Sequence, residues 1–439
     1  MNKQSQIAGI KGFSLIELMI GITLGLLIMT ALVTLFVNTS RTNTEMAKVN
    51  SQIENGRFAM QLLENEIIHG GFWGGYVPEF DDLTAPAYKP PPDPPTPPPV
   101  DVPSTDITVN PSYLATDDPL LVPCKAQASW GTTYVKFLLG IPVQAYDDVP
   151  TGCSAVVSSK KANTDVLLVR HAATCSLKWN SVASAWEATS PNCEADAAGN
   201  LYFQPSFCAP ESATPYLFNT TGFTTAGVGR HKMLCDDDAN PTTPPALPIT
   251  TPDFSDKRKF ISQIYYIRDY AVTEGDGIPT LMRSEFGLVD VAGTPTLKHK
   301  TVEPLINGIE GFRVELGIDN ISDVGVNIIT AASPDNYTDP VHWEDPDNLN
   351  SPRNRGDGSP DNYKRCTTAA PCTAEDLSNV VAVKIYVLAR ADVATPGYTD
   401  TKVYNLGTTT LGPFNDNFKR HVFSTTVRLN NVSSRRETP

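Results

Sequence analysis

Residues 18–37 are twenty consecutive uncharged and mostly apolar residues. Because a helix rises 1.5 Å per residue, twenty residues cover about 30 Å, the thickness of the hydrocarbon core of a bilayer. Lys3 and Lys11 precede this run. Basic residues favour the cytoplasmic side of a membrane, so the pattern predicts a membrane-spanning helix over residues 13–37, with the remaining chain on the far side.

One carboxylate, Glu17, lies at the start of this apolar segment, four residues after Phe13. A charged side chain at the centre of a bilayer costs roughly 2.5–3.5 kcal/mol, so such a residue is a functional candidate. A cleaved secretory signal peptide would have a shorter apolar stretch and then a small-residue cleavage site, and no such site follows Val37. A plain signal anchor explains the apolar run and gives no reason for Glu17. The carboxylate could also reach the headgroups beside the cytoplasmic face.

A second pattern continues the predicted helix beyond the membrane, over residues 38–75. Apolar or small residues recur at spacings of three and four, which is typical of one face of a helix. Glycines between residues 70 and 75 are expected to end it, because glycine disfavours helix. A helix over residues 13–68 would be about 84 Å long, with its second half packed on a globular domain. The stripe is Met46, Val49, Ile53, Gly56, Met60, Leu63 and Ile67, and the polar positions between are Arg41, Glu45, Lys48, Glu54, Arg57, Glu64 and Glu66.

After residue 104 the pattern changes to alternation with a period of two, which indicates strands with one buried face. Few helical stripes follow residue 75, so we predict one long helix on a mostly antiparallel sheet, an α+β fold. The alternating residues are Phe312, Val314, Leu316 and Ile318, then Val381, Val383, Ile385, Val387 and Ala389, then Phe423, Thr425, Val427 and Leu429; shorter candidates are Val166–Val169, Ile261–Ile267 and Leu281–Phe286.

Two segments have loop compositions. Proline is dense over residues 86–103, which predicts a stiff connector within residues 76–110, ahead of a β-rich head over residues 111–439. Residues 319–365 are rich in Asp, Asn, Pro and Gly, which predicts a long surface loop. Within it, residues 345–350 lack the spacing of a calcium-binding EF-hand loop, so we expect no metal.

Charge and motifs narrow the class of function. The chain has 439 residues and a formal net charge of −14, which argues against nonspecific nucleic-acid binding over its whole surface. It contains no phosphate-binding loop, nucleophile elbow, zinc-protease motif or dinucleotide fingerprint. The six histidines are scattered along the chain. We therefore expect neither an enzyme nor a cofactor.

Eight cysteines all follow the membrane segment, and an even number on the exported side indicates disulfides. Cys366 and Cys372 are close enough in sequence to form a local bridge. The other six lie within residues 124–235, which we interpret as a cysteine-rich insertion in the head. Six cysteines allow fifteen pairings, and the working hypothesis is sequential pairing. Those pairs are Cys124–Cys153, Cys175–Cys193 and Cys208–Cys235.

Residues 11–18, K-G-F-S-L-I-E-L, resemble the signal of type IV prepilins and of type II secretion pseudopilins. The resemblance implies that residues 1–12 are a leader peptide, that prepilin peptidase cuts after Gly12, and that Phe13 becomes N-methylphenylalanine. It also implies that Glu17 pairs with the N-terminal amine of a neighbouring subunit, an attraction that is strong at low dielectric.

The strand segments over residues 305–316, 379–390 and 423–431 resemble the PilW-type minor pilins, which are related to the J-type pseudopilins of type II secretion. The resemblance implies a pilin-like fold and a minor pilin that starts type IV pilus assembly and stays at the pilus tip. It further implies an inner-membrane precursor in a Gram-negative bacterium, with its head in the periplasm, and other minor pilins and the major pilin as partners.

Two alternative functions remain open. A J-type pseudopilin of a secretion system would begin in the same way, although pseudopilins are usually smaller. The head could instead be a binding module, such as a tip adhesin or a DNA-capture module. If deletion of the chain abolished pili and left secretion intact, the chain would be a minor pilin and not a pseudopilin. Binding assays with residues 76–439, against surfaces and DNA, would test the second alternative.

Overall fold

The computed structural model describes residues 14–78, 122–207, 211, 215–225, 228–232, 254–321 and 356–436. The helices are α1 (Leu15–His69), α2 (Thr132–Gly140), α3 (Ala374–Ser378) and α4 (Asn430–Ser433). The strands are β1 (Val143–Tyr146), β2 (Val166–Ala172), β3 (Leu177–Asn180), β4 (Ala185–Ala188), β5 (Tyr202–Pro205), β6 (Tyr216–Asn219), β7 (Arg258–Arg268), β8 (Thr280–Val291), β9 (Thr294–His299), β10 (Glu303–Asn307), β11 (Ile309–Ile318), β12 (Asn362–Lys364), β13 (Val380–Arg390), β14 (Tyr404–Leu406), β15 (Thr409–Leu411) and β16 (Arg420–Arg428).

Helix α1 has 55 residues, or about 82 Å at 1.5 Å per residue. No proline interrupts it, and it ends at Gly70, where the chain turns. Gly71 then adopts a φ of 75°, a left-handed conformation that glycine takes without steric cost. The predicted helix and its glycine stop are confirmed within two residues at each end.

A four-stranded antiparallel sheet with the order β12-β11-β13-β16 carries the second half of α1. The helix lies across β13 and β16, and its buried residues join one core with the inward side chains of this sheet. Side chains of the larger sheet, such as Leu167 and Tyr265, reach the same core. The predicted α+β arrangement of one long helix on antiparallel sheets is confirmed.

The larger sheet has eight strands. One path runs β1-β2-β7-β5-β6, while β8 pairs with β7, β9 and β10. Strands β1, β2, β5 and β6 come from residues 124–235, the segment predicted as a cysteine-rich insertion. They are hydrogen-bonded through β7 to the rest of the head, whereas β3 and β4 of the same segment form a separate two-stranded sheet.

The two central strands of the smaller sheet differ from the prediction of one buried face. Every residue of β11 is buried, and so is nearly all of β13. On the face opposite α1, polar residues of these strands are covered and paired. Arg313 of β11 contacts Asp165 at 2.9 Å, and Arg365 contacts the same carboxylate at 2.6 Å. The alternation of apolar and polar residues therefore predicted correctly which face each side chain is on. It was wrong in predicting that the polar face is exposed, because segments remote in sequence cover that face.

Three disulfides are present among the described residues: Cys124–Cys153, Cys175–Cys193 and Cys366–Cys372. These are the sequential pairs predicted for those six cysteines. Cys208 and Cys235 lie outside the described residues. So do residues 79–110 of the predicted connector, residues 322–355 of the predicted loop, and the leader with Phe13.

Candidate assembly site along the N-terminal helix

The first half of α1 projects from the head without being covered by it. All residues from 15 to 40 are exposed, and the large apolar side chains from Leu15 to Val37 are 54–75% exposed. By length and composition this helix could cross a membrane. An apolar surface of this size needs lipid or neighbouring helices around it.

Threonines in this half form hydrogen bonds from their hydroxyl groups to carbonyl oxygens of the same helix. The hydroxyls of Thr23, Thr30 and Thr34 each donate to the carbonyl oxygen four residues earlier, at 2.8–2.9 Å. A hydroxyl that is satisfied in this way adds little cost in an apolar environment. The segment is therefore suited to a medium that offers no hydrogen-bond partners.

Glu17 lies in the first turn of α1 with its side chain exposed. Its carboxylate accepts a hydrogen bond from the backbone N–H of Ser14 at 3.0 Å, which satisfies one free donor at the helix start. Within the described part of the chain, no basic side chain lies within ion-pair distance of Glu17. Gly12 and Phe13 lie outside the described residues.

The head first contacts the helix at polar residues. Arg41 donates to the carbonyl oxygen of Pro396 at 3.0 Å. One turn later, the Glu45 carboxylate contacts the Lys419 ammonium at 2.8 Å and accepts from the Thr395 hydroxyl at 2.7 Å. The hydrogen bond from Lys419, with help from Thr395 and Lys48, lowers the pKa of Glu45 to about 2. This group of contacts joins the helix to the loop that follows β13 and to the residue that precedes β16.

Further along, the contacts become buried. Gln52 is 4% exposed and donates from its amide nitrogen to the carbonyl oxygen of Ala389 at 2.9 Å. At Gly56 the ring of Phe423 lies directly against the helix backbone, and a Cβ atom there would overlap the ring. Leu63 and Ile67 then enter the core with no exposed surface. The helix is therefore packed into the head over these residues.

The end of α1 is also fixed to the head. The side-chain amide of Asn431 donates toward the carbonyl oxygens of Ile68, His69 and Gly70 at 3.3–3.4 Å, which supplies donors for the last helical turn. Beyond it, the Trp73 indole donates to the carbonyl oxygen of Leu139 at 3.0 Å. The whole span from residue 41 to residue 73 is therefore anchored.

The predicted stripe is correct in its second half and displaced in its first half. Gly56, Met60, Leu63 and Ile67 are buried, whereas Met46 is 59% exposed and Val49 and Ile53 are half-buried. Glu45 and Lys48, predicted only as polar positions between the stripe residues, and Gln52, which the pattern did not single out, face the head. Residues 41, 45, 48, 52 and 56 are also spaced by three or four, and this spacing could have predicted that they share the face that contacts the head. The apolar pattern missed these positions because they are polar, and a stripe is recognised from apolar residues alone.

The fold also brings together His69 and His171, which sequence analysis treated as scattered. Their ring centroids are 5.6 Å apart, at the C-terminal end of α1. Within the described ranges, no three His, Cys, Asp or Glu side chains are arranged to hold a metal ion.

A comparison with protein families finds a match in the C-terminal part of the chain. Residues 264–431 match the family model described as type IV pilus-assembly protein W, PilW, so the predicted resemblance is confirmed over that range. The matched range contains all four strands of the sheet that carries α1. No curated protein matches the chain.

Among solved structures, the chain is similar to a type IV-like pilin from Thermus thermophilus. The two share 15% identity over 40% of this chain and 79% of that chain, with a TM-score of 0.15. At that TM-score the similarity carries no argument about the fold.

Proposed function

We propose that this chain, whose residues 264–431 match the PilW family, is a minor pilin that helps to start type IV pilus assembly and remains at the pilus tip. Its role would be structural, with no catalysis. Residues 13–37 would hold it in the inner membrane of a Gram-negative bacterium, with the head in the periplasm. Other minor pilins, the major pilin and prepilin peptidase would be its partners.

The observation that carries this proposal is the division of α1. The head holds residues 41–69 through hydrogen bonds, an ion pair and a buried apolar face, and leaves residues 15–40 exposed. Lipid can cover the exposed half before assembly, and neighbouring helices can cover it afterwards. A subunit of this kind can move from a bilayer into a fibre without unfolding.

We propose two covalent modifications and one contact between subunits at the start of the helix. Hydrolysis of the peptide bond between Gly12 and Phe13 would free the Phe13 amine, which is then methylated. The cationic amine of one subunit would pair with Glu17 of its neighbour, because two opposite charges attract strongly in an apolar environment. The exposed position of Glu17, without a basic partner in its own described chain, supports this role.

The proposed tip position follows from the size of the head. A shaft subunit must pack against copies on all sides, which disfavours a large head with long loops. A subunit at the end of the fibre has no copies packed around it on all sides, so its head can be large.

Mass spectrometry of the mature N-terminus, on chain purified from sheared pili, tests the proposal. The expected species begins at Phe13 and carries one methyl group. The matched control is Gly12→Leu, which should retain residues 1–12 in the membrane fraction. An intact Met1 in fibres, or a cut after residue 38, would contradict the proposal.

A further inference from the structure

A cavity of about 360 Å³ lies where the last turn of α1 meets β2 and the loop closed by the Cys175–Cys193 disulfide. The residues that matter for its chemistry are Glu66 and His69 of α1, His171 of β2, and Glu194 with Lys259. The volume is sufficient for a small organic group or one long side chain. Neither the PilW match nor the proposed role in assembly assigns this cavity a function.

Both imidazoles are oriented by backbone carbonyl groups. The Nδ1 atom of His69 lies 2.6 Å from the carbonyl oxygen of Asn65, and that of His171 lies 2.9 Å from the carbonyl oxygen of Ala172. A carbonyl oxygen only accepts hydrogen bonds, so in each ring Nδ1 carries the hydrogen and donates. The second nitrogen, Nε2, is then an acceptor in the neutral ring.

His171 is 5% exposed, and its Nε2 atom has no hydrogen-bond partner in the described chain. It lies 3.5 Å from the Oε2 atom of Glu66, beyond a normal hydrogen bond. With the ring neutral, two acceptors face each other at this contact, and a buried acceptor without a donor costs free energy. The arrangement calls for a donor from outside the described chain.

The remaining charges of the cavity leave Glu66 uncompensated. Lys259 contacts Glu194 at 2.8 Å, so these two opposite charges balance each other at the rim. The carboxylate of Glu66 is then the unbalanced charge beside the two imidazoles. The site attracts a group that is both cationic and rich in N–H donors.

We propose that this cavity binds an alkylammonium or guanidinium group. Such a group carries several N–H donors, which can reach Glu66 and the two Nε2 atoms without their converging on a single point. A metal ion needs that convergence, and the described His, Cys, Asp and Glu side chains do not provide it. The group comes either from a Lys or Arg side chain of a partner polypeptide or from a free polyamine.

The test uses the full chain in detergent micelles, with ¹⁵N-labelled histidine followed by NMR. Agmatine is the free cation, and a capped Gly-Arg-Gly peptide represents a side chain. Saturable shifts of the His69 and His171 resonances are expected with at least one of them. Tighter binding of the peptide assigns the site to a partner polypeptide, and binding of agmatine alone assigns it to a free amine.

The variant Glu66→Gln, which keeps the shape and removes the charge, should weaken binding at least tenfold. The matched control is Glu64→Gln, an exposed carboxylate on the same turn, which should bind as the unmodified chain does. His69→Gln serves as a second variant with an expected loss of several-fold. Unfolding midpoints of all three variants establish that each is folded.

Absence of a saturable shift with both cations would overturn the proposal and mark the contact between Glu66 and His171 as an internal ion pair. Shifts caused by micromolar Zn²⁺ and not by either cation would overturn it in favour of a metal site. Equal binding by Glu66→Gln and Glu64→Gln would also overturn it, because the charge of Glu66 would then be irrelevant.

Discussion

The two halves of α1 belong to one continuous helix, yet they meet different surroundings. From residue 15 to residue 40 every residue is exposed, while residues 41–69 bind the head through side chains of both polar and apolar type. This difference shows that only the second half contributes to the core of the head. The first half is available for contact with lipid or with other subunits.

The largest difference between the halves is expected for core leucines. Leu63 has no exposed surface, and replacing a buried Leu by Ala removes apolar contacts and leaves a cavity. Leu63→Ala should lower the free energy of unfolding by about 2–5 kcal/mol. Urea denaturation of the full chain in detergent, followed by tryptophan fluorescence, measures it. Leu32→Ala, at a site 60% exposed, is the control and should change it by less than about 0.5 kcal/mol. Equal losses in both variants would mean that the halves are not distinct.

A second comparison concerns two glutamines of the anchored half. Gln52→Ala would leave the buried carbonyl oxygen of Ala389 without its donor, at an expected cost of about 1–3 kcal/mol. Gln61→Ala, at an exposed position on the other face of the helix, should be nearly neutral. The same denaturation experiment measures both variants. A neutral Gln52→Ala would show that the polar part of the junction does not contribute to stability.

In the exposed half, the expected effect is on assembly alone. Under the proposed function, Glu17→Ala should reduce the amount of this chain in sheared pili by about tenfold, because the pairing of opposite charges at low dielectric is lost. Stability of the head should stay unchanged. Immunoblots of pilus and membrane fractions measure the distribution, with Glu17→Asp as the charge-preserving control. Normal incorporation of Glu17→Ala would remove the pairing hypothesis.

The smallest effect is expected at Glu45, where the anchored half begins. Its pKa is lowered from an ordinary value of 4.5 to about 2, so the folded state holds its proton less tightly than the unfolded state. The resulting stabilisation is present above pH 4.5 and is lost as the pH falls toward 2. The difference in stability between the unmodified chain and Glu45→Gln should shrink over that range. Glu54→Gln, at an exposed position, is the control, and a difference that does not change with pH would contradict the assignment.

Sequence patterns were reliable where the physical cause was local. The limits of α1 followed from an unbroken helical pattern and a glycine cluster, and alternation located β11, β13 and β16. The described disulfides join cysteines that are neighbours in the order of cysteines along the chain. In each of these cases the deciding residues lie close together in sequence.

Patterns were insufficient where remote segments meet. Arg420 illustrates this, because its side chain is fully buried and contacts Asp400 at 2.8 Å on one side and Glu310 on another. A sequence pattern would place such an arginine in solvent. The pair formed by His69 and His171 is a second case, since one residue ends a helix and the other lies in a strand of the larger sheet.

The sequence by itself determined the apolar helix with its single acid, the positions of the central strands and the resemblance to a PilW-type pilin, because these depend on the order and spacing of nearby residues. Only the tertiary structure decided which polar residues of α1 bind the head, how the second face of the smaller sheet is covered, and which acceptors share the cavity at the helix end. Those outcomes depend on side chains that are far apart along the chain and meet only when the sheets have formed. Their stabilisation arises from desolvation and pairing, which no spacing rule records.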